Sequence, residues 1–349
     1  MTQKRIYIQA AEQISMQQPL SQQWMVCPVF HAEPYVHAVP PSFRNYLAPN
    51  EARRMSNIMK RALVTSLKVM KDTGIDNPDA IVTGTSTGCL DYTERILKAL
   101  AEEGEQTVSP THFMQSTHNT VSSALGIYTK KHGYNTTYSH GTLSFDFALL
   151  DTWMQMQLGK ISTALVGGHE EMVDSYYELL KKTGYVGKEG MVPCGEVAVS
   201  MMLSAERSAS TLCEMAGITV SNSRDAAVLR KAVLKMLGKA GLSMDGITAV
   251  MTGRNGNEEN DAPYDMVEEQ LFGDKPRLWY KHVFGENFTA SAFGAYAAAH
   301  CLAEGIIPEH LIHEADAENL PDGISSPKAV ILANHTGGRQ FSFTLLKAL

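Results

Sequence analysis

The stretch that decides the fold runs from residue 138 to residue 170 and reads YSHGTLSFDFALLDTWMQMQLGKISTALVGGHE. A polar-flanked strand over residues 134–139 leads into His140 and Gly141. Glycine permits a sharp chain reversal that a residue with a side chain resists. The sequence therefore predicts a strand that ends in a tight turn at this point.

A helix is predicted after the turn, from about residue 144 to residue 158. Its apolar residues cover nearly the whole circumference, which is typical of a helix inside a layered protein. Gly159 fits the position just after a helix end, and residues 163–166 predict a short buried strand. A strand, turn and buried helix present one side chain at a helix N-terminus, where the helix dipole and free amides favour an anion. Acyl-transfer enzymes place a nucleophile at such a position.

This segment, with Gly159 and the Ala-Leu-Val-Gly-Gly run that ends at Gly168, resembles the active-site cysteine region of the β-ketoacyl synthases. These enzymes belong to the thiolase-like superfamily. When the glycines are aligned with the family pattern, the position of the cysteine falls on Thr142. No cysteine occurs anywhere in the segment.

Composition limits the class of protein. The chain has 349 residues, of which 44% are hydrophobic and 19% charged, so it can bury a large core. A formal net charge of −7 without a long Lys/Arg run argues against a nucleic-acid partner, because phosphate binding requires concentrated positive charge. No window has the roughly 18 consecutive apolar residues of a membrane span, and the first residues lack an apolar signal region. We expect a cytoplasmic protein with neither nucleic-acid nor membrane partners.

The cysteine pattern indicates neither a disulfide framework nor a metal site. The five cysteines are scattered, odd in number and without CxxC or Cys/His ligand spacing. We therefore expect small buried side chains, no metal and no cofactor. They are Cys27, Cys89, Cys194, Cys213 and Cys301.

A glycine-rich turn at residues 84–88, GTSTG, could be taken for a phosphate cradle. It matches neither GxxxxGK[ST] nor GxGxxG, so a tight turn at the edge of the sheet is the better interpretation. Cys89 follows this turn, but it lies on the wrong loop for the family's nucleophile. Residues 109–126 resemble the segment that precedes the ketosynthase nucleophile, and the resemblance implies that their helix lies at a dimer interface.

Further landmarks of the family follow in the correct order. Gly195-Glu196 resembles the family's Gly-Glu-Gly-Ala sequence. The strand at 246–252 ends at Gly253 and Arg254, where an active ketosynthase carries the histidine of a His-Gly-Thr loop. Lys281 and Gly285 resemble the family's Lys-x-x-x-Gly-His motif, with Glu286 at the position of its second histidine.

The last landmark is the segment that follows the strand at 329–334. The family has a longer Gly-Phe-Gly-Gly-Thr-Asn loop here, and its phenylalanine gates the acyl pocket. This chain places Thr336, Gly337 and Gly338 at that gate.

The resemblance covers nearly the whole chain and implies an α/β, thiolase-like fold. Its duplicated βαβαβ halves would form a layered α-β-α-β-α architecture, with one half over residues 1–210 and the other over 211–349.

The residues that carry the chemistry of the family are missing from the aligned positions. Claisen condensation requires a thiolate that holds the acyl chain and donors, usually two histidines, that stabilise the carbanion and oxyanion. Thr142, Arg254 and Glu286 stand at these three positions. His140 is near enough in sequence to act as a base for Thr142, but turn contacts explain both residues better. A structural ion pair between Lys281 and Glu286 would fill the space of the second histidine, and Arg254 would fill it from the opposite side.

Two classes of function follow, and whether the protein is an enzyme stays open. In the first, the chain is a non-catalytic homologue similar to the chain-length factors of type II polyketide and aryl-polyene systems, paired with an active ketosynthase or with itself. In the second, it is an active acyltransferase, decarboxylase or thioester hydrolase that uses Thr142, His140 and Glu286. Acyl carrier protein is the expected partner in fatty-acid or polyketide biosynthesis, and the exposed lysines proposed for its docking are Lys181, Lys182 and Lys188.

Overall fold

A computed structural model describes residues 3–349. Its main sheet has ten strands. In chain order they are β1 (Tyr7–Ile14), β2 (Ala80–Gly84), β3 (Tyr134–Tyr138), β4 (Thr163–Glu170), β5 (Val197–Ser204), β6 (Cys213–Ser221), β7 (Ala249–Thr252), β8 (Arg277–Trp279), β9 (Ala329–Thr336) and β10 (Gln340–Lys347).

The longer helices connect these strands. They are α1 (Asn57–Thr73), α2 (Leu90–Glu102), α3 (Pro110–Gln115), α4 (Thr120–Thr129), α5 (Ser144–Gln157), α6 (Asp174–Lys182), α7 (Ala226–Lys239), α8 (Glu258–Leu271) and α9 (Ser291–Glu304). Single-turn helices cover Pro49–Ala52, Lys281–Phe284 and Glu314–Ala317. Short ladders pair Tyr35–Val36 with Cys194–Gly195 and Ile306–Ile307 with Ile324–Ser325.

The strand order shows an internal duplication. Across the sheet it is β8-β7-β9-β10-β6-β1-β5-β4-β2-β3. Counted within each set of five, both sets have the order 3-2-4-5-1, with the fourth and fifth strands antiparallel and the second parallel to both of its neighbours. The two sets meet where β1 pairs antiparallel with β6. We call β1–β5 with their helices the first half and β6–β10 with theirs the second half.

The helices form three layers. One central layer lies between the two halves of the sheet, and one further layer covers the outside of each half. α5 packs on β2 and β4, α9 packs on β9 and β1, and these two helices contact each other in the centre. A single apolar cluster contains residues of both central helices, while separate clusters lie beneath α1 and beneath α7 and α8 on the outside. The α-β-α-β-α layering and the duplicated fold predicted from the resemblance are confirmed. The division of the chain at residues 210 and 211 stays a prediction.

Local structure follows the sequence pattern closely in the deciding stretch. α5 occupies Ser144–Gln157, and its N-terminal turn begins after Gly141, which has φ of +55°. β1 continues to Ile14 although several of its residues are polar, because those side chains are buried in the sheet. Cys27 is exposed, unlike the other four cysteines, so the expectation of five buried thiols was wrong at this position.

Within residues 3–349, no helix combines the length and the apolar character that a membrane crossing requires.

Candidate functional site

The turn before α5, residues 139–143, which we call the elbow, places Thr142 against the second half of the protein. The Thr142 hydroxyl donates a hydrogen bond to the backbone carbonyl of His335 at 2.7 Å. The turn is held by Ser144, whose hydroxyl accepts from the His140 amide at 2.8 Å and donates to the Gly141 carbonyl at 2.7 Å. The hydroxyl at the predicted nucleophile position is therefore engaged with a backbone carbonyl rather than with a base.

His140, the predicted base, points away from Thr142. Its Nε2 lies 2.6 Å from Oε1 of Gln340, and its ring packs on Phe147 with centroids 4.6 Å apart. The imidazole is exposed. His140 and Thr142 are close in sequence, but within residues 3–349 no hydrogen bond joins their side chains.

The residues predicted to form a gate make a tight turn over the elbow. Thr336 and Gln340 pair at the end of β9 and β10, and the Arg339 amide donates to the Thr336 carbonyl at 3.1 Å. Both central glycines, Gly337 and Gly338, have positive φ, as a hairpin of this hand requires. A Cβ at Gly141 would lie 3.7 Å from the Thr336 hydroxyl, so the turn reaches the elbow. The role of these residues as an acyl gate stays a prediction.

The predicted position of the second histidine holds a buried ion pair. Lys281 Nζ donates to Glu286 Oε2 at 2.7 Å, and both side chains are almost completely inaccessible. Asn255 Nδ2 donates to the same oxygen at 2.7 Å. Glu286 Oε1 has no hydrogen-bond partner among the described residues. The expected ion pair is present, and Asn255, which the sequence analysis did not consider, completes it.

Arg254 does not face this ion pair. Its guanidinium donates to both carboxylate oxygens of Glu268, at 3.0 and 2.6 Å, and also to Asp265 on the outer helix α8. Burial alone would lower the pKa of Arg254, but these hydrogen bonds outweigh it and hold the pKa above its ordinary value. Asn255, rather than the expected Arg254, therefore contacts Glu286 from the opposite side.

A buried network missed by the sequence analysis joins the two halves beneath the elbow. Asn334 Nδ2 donates to Asp146 Oδ2 at 2.9 Å and to the Thr142 carbonyl at 2.8 Å. Ser291, at the start of α9, donates to the same oxygen of Asp146 at 2.8 Å, and Tyr264 donates to Asn334 Oδ1 at 2.9 Å. Burial raises the pKa of Asp146, although these donors favour the carboxylate. An acidic residue on an otherwise apolar helix face was the signal that could have revealed it.

Tyrosine side chains fill the interior between the elbow and the ion pair. Tyr264 and Tyr280 are fully buried, and burial raises the pKa of each well above its ordinary value. A Cβ at Gly253 would lie 2.6 Å from the Tyr264 hydroxyl and 3.2 Å from both the Tyr280 hydroxyl and Lys281 Cε. Glycine at position 253 therefore leaves room for both tyrosine hydroxyls and for the Lys281 side chain.

His335 is the imidazole next to the elbow, but it contributes its backbone. Its Nε2 lies 2.8 Å from the Asn260 carbonyl, and its Nδ1 accepts from the Gly338 amide at 3.3 Å, which assigns the proton to Nε2. Burial lowers the pKa of His335 to about 4, so the ring is neutral near pH 7. Both ring nitrogens are occupied, and neither is directed at the Thr142 hydroxyl.

The glycine-rich turn at residues 84–88 uses its amides internally. The carboxylate of Glu170 accepts from the Ser86 and Thr87 amides at 2.8 and 2.9 Å and from the Thr85 hydroxyl at 3.0 Å. An internal carboxylate thus stands where a phosphate would bind in a cradle. Burial raises the pKa of the neighbouring Cys89 thiol to about 12, so that thiol is protonated near neutral pH.

Comparison with known proteins supports the fold and the family. The family model described as "Beta-ketoacyl synthase, N-terminal domain" matches residues 22–240. A search of curated protein sequences found no match.

Solved structures resemble the chain along its whole length. The ishigamide ketosynthase/chain length factor has a TM-score of 0.80 at 16% identity, covering 100% of both chains. A β-ketoacyl synthase from Burkholderia phymatum gives 0.77 at 16% identity, over 99% of this chain and 100% of the other.

The complex of the ketosynthase ApeO with its chain length factor ApeC from Xenorhabdus doucetiae gives a TM-score of 0.78 at 17% identity, over 99% of this chain and 98% of the other. At such identities the structural likeness shows the fold alone. The family model spans more than half of the chain, from residue 22 to residue 240 of 349. The chain belongs to the β-ketoacyl synthase family.

Proposed function

We propose that the chain is a non-catalytic ketosynthase homologue that acts as a chain-length-factor-like partner of an active ketosynthase. The observation that carries the proposal is the hydrogen bond from the Thr142 hydroxyl to the His335 carbonyl. A hydroxyl nucleophile requires an adjacent base that removes its proton. Here the hydroxyl proton is directed at a backbone carbonyl, and the imidazole of His140 contacts Gln340 instead.

The other two catalytic positions support the same conclusion. Glu286 is held between Lys281 and Asn255, and Arg254 is held by Glu268. Histidines at these positions donate hydrogen bonds to the carbanion and oxyanion in the condensing enzymes. A buried carboxylate cannot stabilise a developing negative charge, and an arginine directed at the outer helix does not reach it. These contacts do not favour the alternative of a hydrolase or decarboxylase that uses Thr142.

The open edge of the sheet supports a protein partner. β3 is the outermost strand of the first half, and it pairs with β2 on one side only. Unpaired backbone groups along an edge strand are a template for pairing with another chain. Large apolar side chains lie exposed on the neighbouring helices α3 and α4, namely Phe113, Met114 and Ile127. We propose that an active ketosynthase covers this surface, with a second copy of the chain as the competing occupant.

An acidic acyl carrier protein is the third component of the proposal. Lys181 and Lys182 end α6 and are exposed, and Lys188 lies on the turn that follows. Exposed lysines can attract an acidic partner and accelerate its association. Replacing Lys181 and Lys182 by glutamate should slow the association of acyl carrier protein with the assembled complex.

The test is co-expression with an active ketosynthase from the same source, followed by size-exclusion chromatography and a condensation assay. We expect a stable heterodimer in which condensation depends on the cysteine of the partner. The chain alone should release no CO2 from malonyl carrier protein and form no adduct on Thr142 in mass spectrometry. A homodimer that ignores ketosynthases and turns over malonyl carrier protein by itself would overturn the proposal.

A further inference from the structure

A charged cleft lies on the outside of the first half, away from the elbow. It has a volume of about 940 Å³ and forms where the end of β4 meets the first turns of α1, α2 and α6. Ligands of α/β proteins bind preferentially outside the carboxyl ends of the strands. Neither Thr142 at the elbow nor the ion pair of Lys281 and Glu286 lines the cleft.

Three buried charged side chains form the floor of the cleft. Arg61, Glu171 and Glu196 line it and are only 5%, 3% and 4% exposed. Both terminal nitrogens of Arg61 donate to Glu196, at 3.0 and 2.7 Å, in the bidentate geometry that guanidinium and carboxylate favour. The guanidinium is thereby neutralised by Glu196, and Glu171 is left without a matched cation.

Glu171 retains an open carboxylate oxygen at the floor. Its Oε2 accepts from the Asp91 amide in the first turn of α2 at 3.2 Å. None of the described residues donates an N–H or O–H hydrogen bond to its Oε1: Nη2 of Arg61 is 3.9 Å away, too far for one, and the neighbouring Cys89 thiol is only a weak donor to this carboxylate. A carboxylate that is buried but incompletely hydrogen-bonded is costly unless a ligand completes it. This oxygen therefore points to a donor that comes from outside the chain.

The charged side chains around the rim also leave an excess of negative charge. Arg95 pairs with Asp91 at 2.9 Å, and Lys98 pairs with Glu94 at 2.6 Å, so both rim cations are already matched. Among residues 3–349, His37 is the only basic side chain within 4.0 Å of the Asp174 carboxylate, which is 86% exposed. After all pairs are formed, two carboxylates, Glu171 at the floor and Asp174 at the rim, remain unmatched.

We propose that this cleft binds an organic cation, an ammonium or guanidinium group, between Glu171 and Asp174. The described residues hold no group of three or more His, Cys, Asp or Glu side chains arranged for a metal ion, which favours an organic cation. An anion is disfavoured, because the Asp91 amide and the Arg61 guanidinium already bind the chain's own carboxylates. The cation can belong to a free amine or to a basic side chain of a partner protein.

The experiment titrates the full chain by calorimetry with free arginine amide and with the peptide Gly-Gly-Arg-Gly-Gly, both at physiological salt. Binding of arginine amide alone identifies a small-molecule amine, and binding of the peptide identifies a partner side chain. 1-Butanol and inorganic phosphate are the uncharged and anionic controls, and neither should bind. Binding of phosphate in place of the cations, or of neither cation, overturns the inference.

Matched variants locate the site. Glu171→Gln should weaken cation binding at least tenfold, and Asp174→Asn about threefold, because the rim carboxylate is more exposed. Asp76→Asn, an exposed acid outside the cleft, should leave binding unchanged. Circular dichroism establishes folding, and if the Glu171 variant fails to fold, Asp174→Asn decides the question alone. Wild-type affinity for the cation in either folded variant contradicts the inference.

Discussion

The two ends of the ten-stranded sheet are built differently although the halves share one strand order. At the end of the second half, β8 is covered: the His313 amide donates to the Arg277 carbonyl, the Arg277 amide donates to Asp316, and Leu278 bridges to Ile312. At the end of the first half, β3 pairs only with β2. The chain protects one edge with its own segment and leaves the equivalent edge open, so a partner is expected on the first half alone.

The connection between the fourth and fifth strands differs in the same way. β9 and β10 are joined by the tight turn at residues 337–339, whereas β4 and β5 are joined by residues 171–196, which include α6. The antiparallel pairing is equivalent in both halves, so the sheet geometry permits either length. The long connection forms one wall of the charged cleft in the first half. The two proposed binding surfaces thus belong to the first half, while the second half contacts the elbow.

Both halves contain an ion pair in which each side chain is buried, and the largest predicted effect concerns the pair of Arg61 and Glu196 in the first half. Arg61→Met should destabilise the protein by about 3–5 kcal/mol, because Glu196 would remain buried without its cation and Glu171 would lose the nearest positive charge. Lys281→Met should lie at the lower end of this range, since Glu286 keeps its hydrogen bond from Asn255. The midpoint of urea denaturation measures both.

The control for the ion-pair prediction is the double variant Arg61→Met with Glu196→Gln. It should recover part of the lost stability, because it removes one of the uncompensated charges. A greater loss for Lys281→Met than for Arg61→Met would contradict the expected difference between the halves.

The first strand of the first half should give the protein a pH dependence that the second half does not share. Burial raises the pKa of Glu12 from 4.5 to about 7, despite Lys68 at 3.2 Å. Between these pH values the folded state binds more protons at Glu12 than the unfolded state, so its contribution to the unfolding free energy falls as pH rises. The loss is at most about 3 kcal/mol and is complete above pH 7.

Glu12→Gln should remove this contribution, which is measured as the difference in unfolding free energy between variant and wild type from pH 4.5 to pH 8. Glu214→Gln, on the corresponding strand β6, is the matched control, because that carboxyl is only partly buried. Equal profiles for wild type and Glu12→Gln would show that the carboxyl is ionised throughout this range.

The open edge makes a prediction about association. Ile127 on α4 is 79% exposed. Ile127→Asp should weaken the proposed heterodimer at least tenfold, because the charge would be buried in the interface. Val228→Asp, on α7 of the second half, is the matched control at an exposed apolar site. Analytical ultracentrifugation of both variants with the ketosynthase measures the effect. Equal weakening by the two variants would place the interface elsewhere.

Periodicity and turn residues were sufficient to predict the deciding stretch. The all-round apolar pattern predicted α5 to within a residue at its C-terminal end, because no polar face was available for solvent. An apolar pattern does not identify β1, whose polar residues Gln9, Glu12 and Gln13 are buried by partners distant in sequence. Local patterns do not reveal such partners.

The site was predictable by position but not by contact. Family landmarks located Thr142, Lys281 and Glu286, and the Lys281 pairing followed from charge and spacing. The directions of the side chains could not be predicted from the sequence, because neighbouring residues in one loop can point to opposite sides. Arg254 contacts the outer helix α8, whereas the adjacent Asn255 contacts Glu286.

The smallest predicted effect concerns the elbow, where the two halves meet. Thr142→Val keeps the shape of the side chain but removes the hydrogen bond to the His335 carbonyl, at a cost of about 1 kcal/mol in thermal or urea denaturation. Because the hydroxyl is structural in the proposed function, condensation by the heterodimer should stay within twofold of wild type. A tenfold loss with unchanged association would show that Thr142 takes part in the chemistry, whereas unchanged stability would show that this contact does not fix the second half against the elbow.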